Sequence, residues 1–152
     1  MSKLTYLFLF LPFVAQPLLA QESAKGIVFE EMQWEDAMKK AADESKLVFI
    51  EGYVEWSEPC AVLEEYTLTD KEVGDYYNAN FVNLQVDMED YLGLELTEMF
   101  DVMSYPVFLF LDTDGNLVHR GCGAIDSNDF ISMGMVAKSD SSISQMQQRF
   151  EG

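Results

Sequence analysis

Leu47-Val48-Phe49-Ile50-Glu51-Gly52-Tyr53-Val54-Glu55-Trp56-Ser57-Glu58-Pro59-Cys60 is the stretch on which the reading of this chain turns. Leu47 to Ile50 is short and continuously apolar, the pattern of a strand buried on both faces. Ser57-Glu58-Pro59 has the composition of a helix start. Serine is a preferred N-cap, an acid there suits the positive end of the helix dipole, and proline is tolerated in the first turn. Cys60 then falls at the third helical position, with its backbone N–H in reach of Ser57. Two readings of Cys60 stay open. It is a small apolar residue in a partly buried place, or a thiol favoured by the helix dipole, with Glu58 and burial opposing its ionisation.

Working outward, the flanking sequence supplies alternating elements. Gly26 to Phe29 reads as a first strand, and Trp34, Ala37, Met38 and Ala41 recur at helical steps within Trp34 to Ser45. Helical stretches follow at Ala61 to Tyr66 and at Asp70 to Tyr77, the latter with Asp70 as N-cap. Phe81 to Val86 reads as a strand, Leu92 to Phe100 as a helix and Val107 to Leu111 as a strand. Asp114-Gly115 signals a hairpin turn into a last strand, Leu117 to Arg120. Asp126 caps a final helix to about Val136, and Ser139 to Gly152 is a polar tail. Alternation implies parallel strands with crossover helices, and the hairpin adds an antiparallel edge: an α/β domain with a central mixed sheet.

The quoted stretch resembles the thioredoxin family, in which a buried strand carries an acid, then an aromatic, and ends in Trp-Cys-x-Pro-Cys at a helix start. Ser104-Tyr105-Pro106-Val107-Phe108 is similar to that family's second motif, a cis-proline before an apolar strand. After residue 20 the chain has only Pro59 and Pro106, and both fall on family positions. The resemblance spans roughly Lys25 to Ala137. It implies a thioredoxin fold with the cis-proline before the fourth strand, Glu51 as the buried acid, and a binding groove around Tyr53, Trp56, Ser57, Pro59, Tyr105 and Pro106. Glu51, when ionised, would further oppose a Cys60 thiolate.

The departure is Ser57, which stands where the family has its attacking cysteine. Disulfide exchange proceeds by thiolate attack through a mixed disulfide that a second thiol resolves. A serine hydroxyl does neither, so dithiol exchange through a Cys-x-x-Cys pair is not expected. The resemblance puts Cys122, within Gly121-Cys122-Gly123-Ala124, beside the cis-proline and makes it a candidate partner for Cys60. A bond between them depends on a Cα separation that sequence does not supply. Two functions follow. One is a binding module that takes a peptide or protein partner at a degenerate Ser-x-x-Cys site. The other is a thiol–disulfide oxidoreductase using Cys60 with Cys122, or Cys60 alone. The Ser-x-x-Cys helix start is also similar to peroxiredoxins. Their peroxide-site arginine has no counterpart at Ser104-Tyr105, and Arg120 lies on a different element.

The first twenty residues have the layout of a secretory signal: Lys3, an apolar run from Leu4 to Val14, and Leu18-Leu19-Ala20 before Gln21. Pro12, Gln16 and Pro17 interrupt the run, which falls short of the roughly 20 apolar residues of a membrane span. The expected organisation is a signal at 1–20, a domain at 21–137 and a tail at 138–152, with a secreted or periplasmic product free of the membrane after cleavage. A formal charge of −18 repels phosphate backbones, so nucleic acid is not an expected partner. No cofactor is expected. One histidine and two separated cysteines do not make a metal site.

Several weaker signals have plain explanations. Asp112-Thr113-Asp114-Gly115-Asn116 reads as a hairpin turn, because its glycine comes too early for a twelve-residue calcium loop and Gly123 stands where the closing acid should be. His119 reads as a solvent-facing strand residue. Met99, Met103, Met133 and Met135 suit core filling, the default reading, or a loose hydrophobic contact surface. Asp87, Glu89 and Asp90 read as a solvated loop.

Overall fold

A computed structural model describes residues 26–151. The expected signal at 1–20 lies outside the described residues. The elements in order are α1 (Trp34–Glu44), β1 (Leu47–Tyr53), α2 (Glu58–Leu63) with a π-helical continuation over Glu64–Leu68, and α3 (Lys71–Asn80). Then come β2 (Phe81–Asp87), α4 (Tyr91–Phe100), β3 (Val107–Leu111), β4 (Leu117–Cys122) and α5 (Ser127–Glu151).

The four strands form one mixed sheet in the order β2-β1-β3-β4. β1 and β2 are parallel, β1 and β3 antiparallel, and β3 and β4 the antiparallel hairpin. The hairpin turn is held by Asp112, whose Oδ1 accepts from the backbone N–H groups of Asp114 and Asn116. This is an Asx-type turn, which accounts for the acidic loop without a cation.

Strand alternation sorts the apolar residues into two layers. Val48, Ile50, Leu109 and Leu111 face an aliphatic core that includes Ala37 and Ala41 of α1 and Leu96 of α4, with Trp34 and Met38 half-buried against it. Phe49, Phe108 and Phe110 face the other side, with Leu63, Tyr77, Phe81 and Phe130. The Phe49 ring meets Tyr77 edge-on at 4.8 Å and lies 5.0 Å from Phe110 and 5.8 Å from Phe130. Each such buried ring stabilises the fold by about 1.5–3 kcal/mol through burial, with a further contribution from edge-to-face geometry. α2 rests on this aromatic layer through Leu63, so the helix that opens at Ser57 is fixed by the ring cluster beneath it.

Several expectations are corrected. Gly26 to Phe29 is extended but forms no strand. The Val28 N–H is taken by the Asn78 side chain and the Ile27 N–H by the Leu68 carbonyl, which leaves only Glu30 N–H to Asn83 O along β2. The cis peptide at Tyr105–Pro106 therefore precedes the third strand of the sheet, not the fourth. The last helix continues past Val136 to Glu151. Met99, Met103 and Met135 are exposed, because α4 and α5 turn those positions away from the sheet or, for Met103, because it lies in the loop before β3. Met133 does pack on the aromatic layer. His119 is half-buried, with Nδ1 3.0 Å from Asp140 Oδ2 and its ring against Phe110. The parallel and antiparallel pairings bring α5 over that face of β4.

Candidate functional site

The sheet order brings the ends of all four strands to one edge. Tyr53 closes β1 opposite Asp87 of β2, Gly52 lies opposite Val107 of β3, and Val107 lies opposite Cys122 of β4. The chain leaving β1 turns at Val54, whose carbonyl accepts from the Ser57 N–H at 3.2 Å, and enters α2. Ser57 is the N-cap: its Oγ accepts from the Cys60 N–H at 3.4 Å, and Pro59 occupies the first turn. Both Ser57 and Cys60 are buried, while Glu58 and Pro59 are exposed.

Trp56 stands out from the surface with 71% of its area exposed. Its ring meets Tyr105 edge-on at 6.3 Å, joining the turn before α2 to the cis-proline loop. Pro106 is buried behind Tyr105, and its carbonyl accepts from the Gly123 N–H at 2.9 Å, so the end of β4 is held against the same loop. Trp56, Tyr105, Pro106 and Tyr53 thus share one end of the molecule.

Glu51 is the buried acid that the sequence implied. It is 1% exposed, and its Oε2 has no hydrogen-bond partner. Burial pushes its carboxyl up to about 7. A hydrogen bond from the Gln85 side chain opposes the rise and the neighbouring Glu64 carboxylate adds to it. Glu51 lines a cavity of about 250 Å³ with Ser57, Cys60, Glu55, Glu64 and Gln85. Burial likewise raises the half-buried Tyr53 hydroxyl, helped by Asp87, Glu55 and Glu51.

Cys122 is exposed and lines a different cavity, of about 310 Å³, with Met103, Ser104, Val107 and Arg120. Arg120 donates through Nη2 to the Phe100 carbonyl. Both cysteines are free thiols. Sequence reasoning passed over Glu64, Glu55 and Gln85. Glu64 was within reach, since it lies one helical turn beyond Cys60. Gln85 faces Glu51 only through the β1–β2 register. Among the described residues no group of three or more His, Cys, Asp and Glu could hold a metal ion, and no helix is long and apolar enough to cross a membrane.

Comparison with known proteins bears on this arrangement. A family model described as thioredoxin-like matches residues 30–113. The thiol:disulfide interchange protein DsbD of Colwellia psychrerythraea is 33% identical over 100 residues, which are 64% of this chain and 16% of that protein. Thioredoxin-1 of Drosophila melanogaster is 36% identical over 72 residues, 47% of this chain and 62% of that protein. The chain therefore spans less than two thirds of the length of either relative. Among solved structures, a Bacteroides thetaiotaomicron protein described as a disulphide-isomerase superposes with a TM-score of 0.67 at 37% identity, over 75% of this chain and 94% of that one. A thioredoxin from Thermus thermophilus superposes at 0.66 with 21% identity, over 76% and 92% of the respective chains, and shares the fold. With the family match running over more than half of its length, and with the mixed sheet and helix-start motif in place, the chain belongs to the thioredoxin-like family.

Proposed function

We propose that this is an exported thioredoxin-like protein that binds an extended peptide, or an extended segment of a protein partner, across Trp56, Tyr105, Pro106 and Tyr53 without dithiol exchange. The observation that carries the reading is the pairing of an exposed Trp56 with Tyr105 over a helix start whose serine is already committed as N-cap. A large aromatic surface is held in water beside backbone of the cis-proline loop, the combination that β-augmentation uses to seat a strand. The thiol that would attack is absent, and Ser57 gives the helix the same cap without the chemistry. Export is supported by the signal-like pattern of the first twenty residues.

Two readouts test the reading. Anisotropy of fluorescein-labelled extended peptides should show binding that Trp56→Ala weakens about tenfold or more, the loss of an aromatic anchor. Equal binding by the variant removes the groove. The unmodified protein should fail to accelerate insulin reduction by dithiothreitol.

A second reading, thiol–disulfide exchange through Cys60 with Cys122 or Cys60 alone, is favoured by one observation. The relative DsbD is a thiol:disulfide interchange protein, and this chain keeps an exposed thiol beside the Pro106 loop. Intact mass after alkylation with and without reductant, together with the insulin assay, separates the two. Protection of both thiols until reductant is added supports the Cys60–Cys122 pair, whereas two freely alkylating thiols exclude that pair and leave the insulin assay to decide on Cys60 alone.

A further inference from the structure

We infer that the segment bound in this groove is basic, and that a lysine or arginine side chain from it enters the acidic cavity lined by Glu51, Glu55 and Glu64 beside Cys60. The inference rests on the groove reading above and adds the chemistry of the occupant.

The cavity is lined by three carboxyl groups and by no lysine or arginine. At its floor Glu51 is almost wholly buried, and its Oε2 lacks a donor. Buried oxygens of this kind are nearly always paired in folded proteins, so the exception calls for an explanation. The donors already present do not supply one. Ser57 and Cys60 line the same cavity without pairing with Oε2, and the hydrogen bond from Gln85 leaves it unpaired too. Arg120, across the cis-proline loop, is engaged with the Phe100 carbonyl and lines the other cavity.

A basic side chain meets these needs together. Its apolar stem can run along Tyr53 and Ala61, which line the cavity, while its charged head reaches the carboxylates. An apolar side chain of the same length would leave Glu51 Oε2 unpaired, and an acidic one would be repelled. The formal charge of −18 steers a basic segment toward the chain before contact.

The cavity also fixes the pH dependence. Tyr53, Glu55, Cys60 and Glu64 are the titratable groups that line it with Glu51, Gln85 faces Glu51 from β2, and Phe108 faces it from β3. Only an ionised Glu51 pairs fully with a bound ammonium. Affinity should therefore rise about tenfold between pH 6 and 8, following the fraction of the binding-competent form, and then level off.

The test uses three fluorescein-labelled peptides, Gly-Thr-Val-Xaa-Val-Thr-Gly, with lysine, norleucine or glutamate at the central place, titrated against the purified chain at pH 8. The lysine peptide should bind about tenfold or more tighter than the norleucine peptide, the worth of one charge-assisted hydrogen bond, with the glutamate peptide weakest. Glu51→Gln and Glu64→Gln should each reduce the lysine preference. The exposed Glu64 variant keeps the test open should the buried one misfold, and circular dichroism checks both. Equal affinity for the three peptides leaves the groove standing and overturns the basic occupant. Failure of all three to bind overturns groove and occupant together. A lysine preference undiminished in both variants assigns it to general surface charge and overturns the role of the cavity.

Discussion

Glu51→Gln replaces the only carboxyl group buried among the described residues with a neutral side chain of nearly the same shape. In the native protein this carboxyl binds its proton until about pH 7, against an ordinary 4.5. Between those values the folded state holds a proton that the unfolded chain has released. Stability therefore falls as pH rises through this window and stays at the lower level above it. At about 1.4 kcal/mol per unit, the whole loss amounts to about 3.5 kcal/mol, with no discount for solvent because the group is buried. Glutamine carries no such dependence. Urea unfolding of both proteins at pH 5, 6, 7 and 8 should therefore show a difference in stability that is small at pH 5. It should grow in favour of the variant by about 2.5 kcal/mol between pH 5 and pH 8, the part of the loss that falls in that range. Taking the difference between the two proteins removes the contribution of the other acids. A difference that stays flat across the series refutes the assignment of a protonated Glu51 to the native state at neutral pH.

Three further outcomes are expected. Ser57→Cys should oxidise to a disulfide with Cys60, three residues on at the start of α2, and should accelerate insulin reduction; a variant that forms the bond but stays inactive places the defect elsewhere in the groove. Phe49→Ala should cost about 3–5 kcal/mol in urea unfolding, since it opens a cavity at the centre of the aromatic layer, and a cost below that of a surface substitution would mean that the layer repacks. Gly74→Ala should destabilise by about 1–3 kcal/mol as an overpacked site, because its Cβ would come 2.1 Å from the Gly26 carbonyl oxygen. An unchanged midpoint would show that the Gly26 segment does not dock on α3.

The parts of this fold that were legible in the sequence are those governed by local chemistry. Leu47–Ile50 and Val107–Leu111 are central strands because nothing in them tolerates water, and both lie in the middle of the sheet. Asp70 caps α3 through Glu72 and Val73 as its residue type dictates, and Ser57 caps α2 in the same way. Gly26–Phe29 has the composition of a strand but not the pairing, because the side chain of Asn78, about 50 residues away, takes the hydrogen bond first. The π-helical turn after Leu63 rests on tertiary contacts, among them Thr67 Oγ1 donating to the Ile125 carbonyl at 2.7 Å. At the site, Glu51, Ser57 and Cys60 could be named from a single run of residues. The contact of Trp56 with Tyr105, and the meeting of Gln85 with Glu51, arise only from strand register and loop closure across long separations.

The placement of the two tryptophans has a spectroscopic consequence. Trp34 is half-buried against the aliphatic layer, on the side of the sheet away from α2, whereas Trp56 stands in water at the groove. Their emission should separate into a blue component from the interior and a red component from the site. Acrylamide, a neutral quencher indifferent to the acidic surface, should extinguish the red component first. A ligand lying across Trp56 and Tyr105 would protect the red light and leave the blue unchanged, while loosening of the body of the protein would shift the blue and spare the red. The chain thus carries separate optical reporters for occupancy and for integrity without any added label.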